Sequence, residues 1–354
     1  MKPVDSFLNR AELVSKSEAE THAEVAAFLS CPASYPHHPD EVRVVETHTA
    51  LVFMAGEYVY KLKRPIALDF LDCRSLEARR RNCQSEFAAN HRLAPGVYLG
   101  NVPVTREADG TLAISGSGTP VDWLVVMRRL DQANALDQRI AAGLVSISDV
   151  DRVCRTLAQF YLSQPPIMTS PVGWIALWKE KVAIVRTSLS DPSFGLPEDE
   201  YQAPLQAIEQ FLARSSGLMT TRLAQGRIVD GHGDLKPEHV YIGEQVLIID
   251  CLEFDERLRW EDPFDEIVFL GLECRRLGAP WIAPRLVDQM AQLLGERPPE
   301  ELLRFYRTYR ACMRARLMIE HLRDEAPRTP EEWPRKARLY LKFAIEALSP
   351  GDQS

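Results

Sequence analysis

The chain has 354 residues, 45% of them hydrophobic and 26% charged, with a formal net charge of −8 at pH 7. That balance suits a globular enzyme of one two-lobed domain or two ordinary ones, and a net negative chain is not built as a non-specific nucleic-acid binder. No apolar run approaches the ~18 residues of a membrane span, and the start, MKPVDSFLNRAELVSKSEAE, lacks the apolar core of a signal peptide, so no membrane association is expected.

In chain order, Glu20 to Ser30 carries Ala and Val at helical spacing and stops at Cys31-Pro32. Tyr35-Pro36-His37-His38-Pro39 reads as a surface loop, because its prolines forbid regular structure and no nearby cluster completes a metal site around the two histidines. Val42 to Leu62 is β-rich: Val42 to Val45, Thr47 to Thr49 and Ala50 to Ala55, then a Gly56-Glu57 turn into Tyr58 to Lys63. In that last strand Val59, Lys61 and Lys63 share one face. Ser75 caps a helix reaching Leu93. Val97 to Val104, Leu112 to Ile114 and the strongly apolar Trp123 to Met127 read as strands.

From Asp131 the composition turns helical. Ser148 caps a helix with Val150, Val153, Leu157, Phe160 and Tyr161 on one face, ended by Gln164-Pro165-Pro166. Trp174 to Leu189 and Tyr201 to Ala213 follow, and Asp265 to Leu277, Trp281 to Leu294, Glu300 to Leu322 and Pro334 to Leu348 complete the helical half. The seven cysteines form no C-x-x-C pair and are odd in number, which favours reduced thiols in a cytoplasm over a disulfide framework or a zinc site.

Between those helices lies IVDGHGDLKPEHVYIGEQVLIIDCLEFDERLRWEDPFDE, Ile228 to Glu266. His232-Gly233-Asp234 opens a loop, with Gly233 supporting a sharp turn, and Val246 to Ile249 is a brief apolar run ending at Asp250. An Asp in a tight loop followed by an Asp at a strand end is what phosphoryl transfer requires: one carboxylate accepts the proton of the attacking hydroxyl, another holds Mg²⁺ against the ATP phosphates.

These motifs resemble the catalytic segment of the aminoglycoside phosphotransferase and choline kinase-like enzymes, and Asp262-Pro263-Phe264-Asp265 resembles that family's later G-D-P-x-x-D-L-A stretch. The resemblance implies an α+β, protein-kinase-like two-lobed fold, with a β-rich N-lobe over residues 1–128 and a mainly helical C-lobe over 129–354. It implies ATP- and Mg²⁺-dependent phosphorylation of a hydroxyl on a small metabolite or amino-sugar-like acceptor. Asp234 falls where the family keeps its catalytic base and Asp250 where it keeps the metal ligand. Lys61 would contact the α/β-phosphates, with Lys63 as the alternative. Glu86 would pair with that lysine, with Glu77 as the runner-up.

The same resemblance places the nucleotide loop at the turn from Glu46 to Ala50. That turn has no glycine, so Thr47 and Thr49 would offer hydroxyls and backbone N–H groups instead. Backbone at Val126, Met127 and Arg128 would meet the adenine. His232 would tie the loop down structurally. The family has Asn five residues after the base, and here His239 stands there: it binds metal directly, holds a metal-bound water or orients Asp234. An imidazole ligand would make Mn²⁺ an alternative to Mg²⁺.

The acidic run Glu253, Asp255, Glu256, Glu261, Asp262, Asp265, Glu266 and Glu273 would either recognise a cationic substrate or form an Arg-balanced solvated surface, and the second is expected. The wording H-G-D-L-x-P-E-H with I-D-C-L-E-F resembles a bacterial branch often joined to a P-loop kinase domain. No G-x-x-x-x-G-K-[ST] occurs here, so the chain would stand alone or use a separate P-loop kinase partner. The rival is a pseudokinase, a nucleotide- or partner-binding module without turnover. His239 and the glycine-free turn favour it; Lys61, Asp234 and Asp250 oppose it. The H-R-D, D-F-G and A-P-E set of a protein kinase is missing.

Overall fold

The structure, a computed structural model, describes residues 16–68, 71–323 and 329–349. The opening stretch up to residue 15, read above for a leader, lies outside them. The described chain forms two compact units. One holds residues up to Asn134 together with Leu247–Glu256; the other holds Ala135–Val246 and the chain from Arg257 onward.

The first unit is built on an antiparallel sheet. After α1 (Lys16–Leu29) come β1 (Val42–Glu46), β2 (Ala50–Ala55) and β3 (Tyr58–Lys63), a small ribbon of β4 (Ala67–Leu68) and β5 (Leu71–Asp72), and α2 (Leu76–His91). Then β6 (Tyr98–Arg106), β7 (Leu112–Ile114) and β8 (Thr119–Arg128) complete the sheet in the order β1-β2-β3-β8-β6-β7. Alternation sends Tyr58, Tyr60 and Leu62 of β3 into a core with Phe53, Leu124, Val126 and the α1 residues Val25 and Leu29. Lys61 and Lys63 therefore point to the other face, where α2 lies.

Ser75 caps α2, accepting the N–H of Ala78 at 3.2 Å. Buried Arg79 ties this helix to Asp122 of β8 at 2.8 Å and to Glu18 of α1 at 2.9 Å. Glu86 stands two turns further along the same helix face. Thr47 to Thr49, β-rich by composition but placed in a turn by the resemblance, is a tight turn between β1 and β2. The Thr47 hydroxyl accepts the Ala50 N–H and donates to the Ala50 carbonyl, which closes the chain on itself and forbids extension.

The second unit is mainly helical. It comprises α3 (Leu136–Ala141), α4 (Ile147–Ser163), α5 (Pro171–Leu189), α6 (Glu198–Arg214), α7 (Gly217–Ala224), α8 (Pro263–Arg276), α9 (Ile282–Leu294), α10 (Glu300–Glu320) and α11 (Glu332–Glu346). Short strands β9 (Val229–Asp230), β10 (Val240–Ile242) and β12 (Trp260–Glu261) lie between α7 and α8, and β11 (Val246–Ile248) opens the Leu247–Glu256 stretch of the first unit. The cap of α4 is Ser146 rather than Ser148. Asp149 stands three residues after Ser146 and answers it reciprocally in a capping box, whereas Asp151, at the same spacing from Ser148, is taken by Arg285. Helix α5 starts three residues before the expected Trp174, because Ser170 caps it and Pro171 suits its first turn. Trp174 and Trp178 are buried, and Trp178 meets Phe305, Tyr306 and Tyr309 of α10. Among the described residues no helix is long and apolar enough to cross a membrane.

Candidate functional site

The candidate side chains fall into two groups, one in each unit. In the sheet unit, Lys61 Nζ lies 2.8 Å from Glu86 Oε1 and 3.5 Å from Asp250 Oδ1. Lys63 Nζ lies 2.5 Å from Glu86 Oε2 and 2.5 Å from Glu253 Oε1. Both oxygens of Glu86 thus meet a lysine, and the runner-up Glu77 lies on the surface beside Arg80 and Arg81. Burial pushes the Glu86 carboxyl up, but Lys61 and Lys63 outweigh it and hold it below its ordinary value. Burial disfavours the Lys61 ammonium, and Glu86, Asp250 and Glu253 more than offset this, so it stays charged.

Asp250 is set apart from these buried groups. Its side chain is 50% exposed, and its backbone is left-handed at φ 65°. That conformation is uncommon for a non-glycine residue and costs about 1–2 kcal/mol, though Asp tolerates it better than most. The surroundings of Asp250 are visible. Leu247 and Ile249 pack on Cys83, Val97, Tyr98 and Val125. The Asp250 N–H points at the Tyr98 hydroxyl at 3.4 Å, and the next N–H, of Cys251, donates to Asn90 Oδ1 at 2.8 Å.

In the helical unit, β9 pairs with β12 and delivers the chain into Gly231 to Asp234. Glu266, in the first turn of α8, pins this loop. Its Oε1 accepts the N–H groups of His232 (2.7 Å) and Gly233 (2.5 Å), and its Oε2 accepts the Tyr161 hydroxyl at 2.7 Å. A Cβ on Gly231 would fall 2.7 Å from Glu266 Oε2, so the close approach requires glycine there. Gly233 has φ 85°, the left-handed turn that aims Asp234. The Asp234 N–H donates to His232 Nδ1 at 3.2 Å, which is the structural tie of His232. Asp234 Oδ2 lies 2.8 Å from Lys236 Nζ. Burial pushes the Asp234 carboxyl up, and Lys236 and His239 together bring it below its ordinary value, so it is ionised at neutral pH.

His239 Nδ1 lies 2.9 Å from the backbone carbonyl of Asp234. A carbonyl only accepts, so Nδ1 carries the proton and the lone pair of the neutral ring is on Nε2. Among the described residues no group of three or more His, Cys, Asp or Glu is arranged to hold a metal ion. Mg²⁺ beside nucleotide phosphates needs only one or two carboxylates, with phosphate and water oxygens completing its shell.

The remaining candidates are placed as follows. The Thr47 hydroxyl is engaged within its own turn, and the Thr49 carbonyl accepts the Arg64 N–H at 2.8 Å. Val126, Met127 and Arg128 lie in β8 between β3 and β6, and the Arg128 N–H donates to the Val97 carbonyl at 2.8 Å. His37 sits on the surface, 2.9 Å from the Ala55 carbonyl.

The acidic run is Arg-balanced, as expected, but much of it is buried rather than solvated. Asp262 meets Arg222 and the Tyr306 hydroxyl, Glu261 and Asp265 share Arg310, and Glu273 meets Arg276, Arg314 and Tyr340. The arginines that neutralise it come largely from other helices, which local spacing could not reveal. These carboxylates hold the helical unit together and are not a surface for a cation. Sequence reading also missed Lys236, Glu266, Tyr161, Glu253, Asn90 and Tyr98. Glu266 had a signal: it occupies the last acidic position of the D-P-x-x-D spacing that starts at Asp262.

An antiparallel sheet unit followed by a helical unit with this loop is the fold of protein-kinase-like phosphotransferases, the fold that the resemblance implied. A choline/ethanolamine kinase family protein from Mesorhizobium loti matches with a TM-score of 0.51 at 15% identity, over 93% of this chain and 96% of that one. A choline kinase from Cryptosporidium parvum matches with a TM-score of 0.51 at 11% identity, over 91% and 96%. A thermostable mutant of an aminoglycoside phosphotransferase, in a ternary complex with AMP-PNP and hygromycin B, matches with a TM-score of 0.53 at 12% identity, over 92% and 99%. At these identities the likeness is one of fold. No protein-family model matches the chain. Uncharacterized proteins of Mycobacterium tuberculosis and Mycobacterium bovis are 32% identical over 283 residues, 78% of this chain and 54% of each relative. The chain thus spans about half the length of the curated relatives it matches.

Proposed function

We propose that this chain is an ATP- and Mg²⁺-dependent phosphotransferase that phosphorylates a hydroxyl of a small metabolite or amino-sugar-like acceptor. The observation that carries the reading is the contact of Lys61 with both Glu86 and Asp250. A buried carboxylate keeps the lysine charged and fixed, and the lysine is the point charge that holds α/β-phosphates. Asp250 fits a divalent metal: it offers hard oxygen donors, is half-exposed, and is held in a strained backbone. Bound Mg²⁺ would neutralise charge on the phosphates. Asp234 is the proposed base. It is ionised, rigidly placed by Glu266 and Gly233, and able to orient and deprotonate the acceptor hydroxyl.

Lys236 holds the Asp234 carboxylate between turnovers. His239 is hydrogen-bonded to the carbonyl of Asp234, which supports the orienting role among its three; a metal contact would fall to Nε2. The end of β8, Val126 to Arg128, is the proposed adenine contact; Val126 and Met127 stand opposite strands on both sides and the Arg128 N–H is donated to Val97, so the Arg128 carbonyl is the group proposed to meet the base. A cytoplasmic setting fits the seven cysteines, all of them thiols.

A second reading, a nucleotide-binding module without turnover, draws on the turn from Glu46 to Ala50, whose Thr47 hydroxyl is engaged internally. The two are separated by ADP release from Mg·ATP across a panel of hydroxylated metabolites and amino sugars. The enzyme reading expects at least one acceptor to stimulate release. Nucleotide binding with no acceptor-dependent release across the panel would favour the module.

A further inference from the structure

Two lysines two residues apart share one buried carboxylate, Glu86, and since Asp250 beside Lys61 is half-exposed, a single buried negative charge faces both. Side-chain exposure is 0% for Lys63, 1% for Glu86 and 5% for Glu253, so this is charge in low dielectric, where an unbalanced ion is strongly destabilising. Glu253 completes the balance, two ammonium groups against two buried carboxylates. It does so from the turn that carries Asp250, three residues earlier. That turn is held at its start by Leu247 and Ile249 in the core, at its middle by Asn90 on the Cys251 N–H, and at its far side by Lys63 on Glu253. Asn90 also donates to the backbone carbonyl of Glu86 at 2.9 Å, so α2 braces both the lysine pair and the turn.

We propose that Lys63 and Glu253 are positioning residues: their buried ion pair closes the Asp250 turn onto β3 and leaves Lys61 as the lysine for the nucleotide phosphates. The proposal rests on the phosphotransferase reading. It assigns different jobs to two lysines that a sequence cannot tell apart. With Glu253 on Lys63, Glu86 is not drawn wholly to Lys63, and its Oε1 stays on Lys61. With the turn closed, Asp250 keeps its left-handed backbone and its exposed carboxylate. Glu253 itself is too enclosed, and too close to Lys63, to serve as the metal ligand.

The test is binding to the full chain, measured by calorimetry with AMP-PNP alone and with AMP-PNP plus Mn²⁺, with Mn²⁺ also followed by electron paramagnetic resonance. Glu253→Gln and Lys63→Met are each expected to weaken Mn²⁺-dependent binding by about 10–100-fold, the usual effect of removing a partner that orients a metal ligand. Metal-free AMP-PNP binding should change several-fold less, a split that a merely structural role would not produce. Because one substitution leaves a buried charge unpaired, the double variant Lys63→Met/Glu253→Met is measured too. It buries no unbalanced charge, should fold, and should still show the weakened Mn²⁺ dependence, because the tether is gone.

Wild-type Mn²⁺ dependence in a folded double variant would overturn the proposal. So would Lys63→Met binding Mn²⁺ as tightly as wild type while Glu253→Gln does not, since Glu253 would then be a ligand. If wild-type protein binds no AMP-PNP with or without Mn²⁺, the phosphotransferase reading falls along with the proposal, an outcome distinct from both.

Discussion

Asp250 and Asp234, each beside a lysine, are held differently beyond it. Asp250 has Lys61 beside its carboxylate, Tyr98 and Asn90 on the N–H groups of its turn, and the buried Lys63–Glu253 pair beyond it. Its own oxygens are left half-exposed in a strained backbone. Asp234 is fixed through its backbone: a single buried carboxylate, Glu266, gathers two consecutive N–H groups ahead of it, and His232 takes its own N–H. On the proposed roles, the carboxylate that would meet a cation is kept accessible by ion pairs of its neighbours. The one that would be aimed at a hydroxyl is kept in line by fixing the loop that carries it. The first arrangement is vulnerable to charge changes, the second to changes in shape and hydrogen bonding.

The sharpest test of this contrast is Asp250→Ala. It should abolish metal-dependent nucleotide turnover, while circular dichroism stays near wild type and melting temperature falls by no more than a few degrees, because Ala keeps the left-handed backbone that only glycine would relax. Unchanged turnover in the folded variant would remove Asp250 from the metal side. Next is Glu266→Ala, which leaves two buried N–H groups and the Tyr161 hydroxyl without their acceptor. A loss of about 3–5 kcal/mol in urea unfolding is expected, the scale for a buried charged partner removed. A loss below about 1 kcal/mol would show that the loop is not held from Glu266.

Gly231→Ala pushes a methyl group against Glu266 Oε2 and should cost about 1–3 kcal/mol, with turnover falling more than nucleotide affinity. Equal losses in both would place the strain elsewhere. The smallest effect is Tyr161→Phe, expected to cost about 0.5–1.5 kcal/mol, since Glu266 keeps its two backbone donors. A cost as large as that of Glu266→Ala would make Tyr161, rather than the loop, the main partner of Glu266.

The Asp234 loop and the Asp250 strand end were legible because their signals are local. A Gly between His and Asp, and an Ile-Ile run ending in Asp, can be read within a few residues. Lys61 and Glu86 could be picked out through the resemblance, and they stand in contact; their roles toward a nucleotide are the proposal. Lys63 and Glu253 could not be paired from sequence. They are 190 residues apart, and a lysine on a strand or a glutamate in an acidic run reads as surface until burial is known. The same holds for Asp262 with Arg222 and for Glu261 with Arg310, whose partners come from other helices. The eight-residue α7 escaped for another reason: it is too short for apolar periodicity to stand out, and Gly217 and two threonines lower its helical propensity.

The central claim is that Asp234 is the base of a phosphoryl transfer to a hydroxyl. It is tested most directly by comparing wild type and Asp234→Asn in a single-turnover measurement of γ-phosphate transfer to the acceptor found in the metabolite panel. The substitution keeps the shape and removes the charge. Transfer should slow by about 10²–10⁴-fold while ATP binding is retained. An Asp234→Asn protein that transfers phosphate at the wild-type rate would contradict the account.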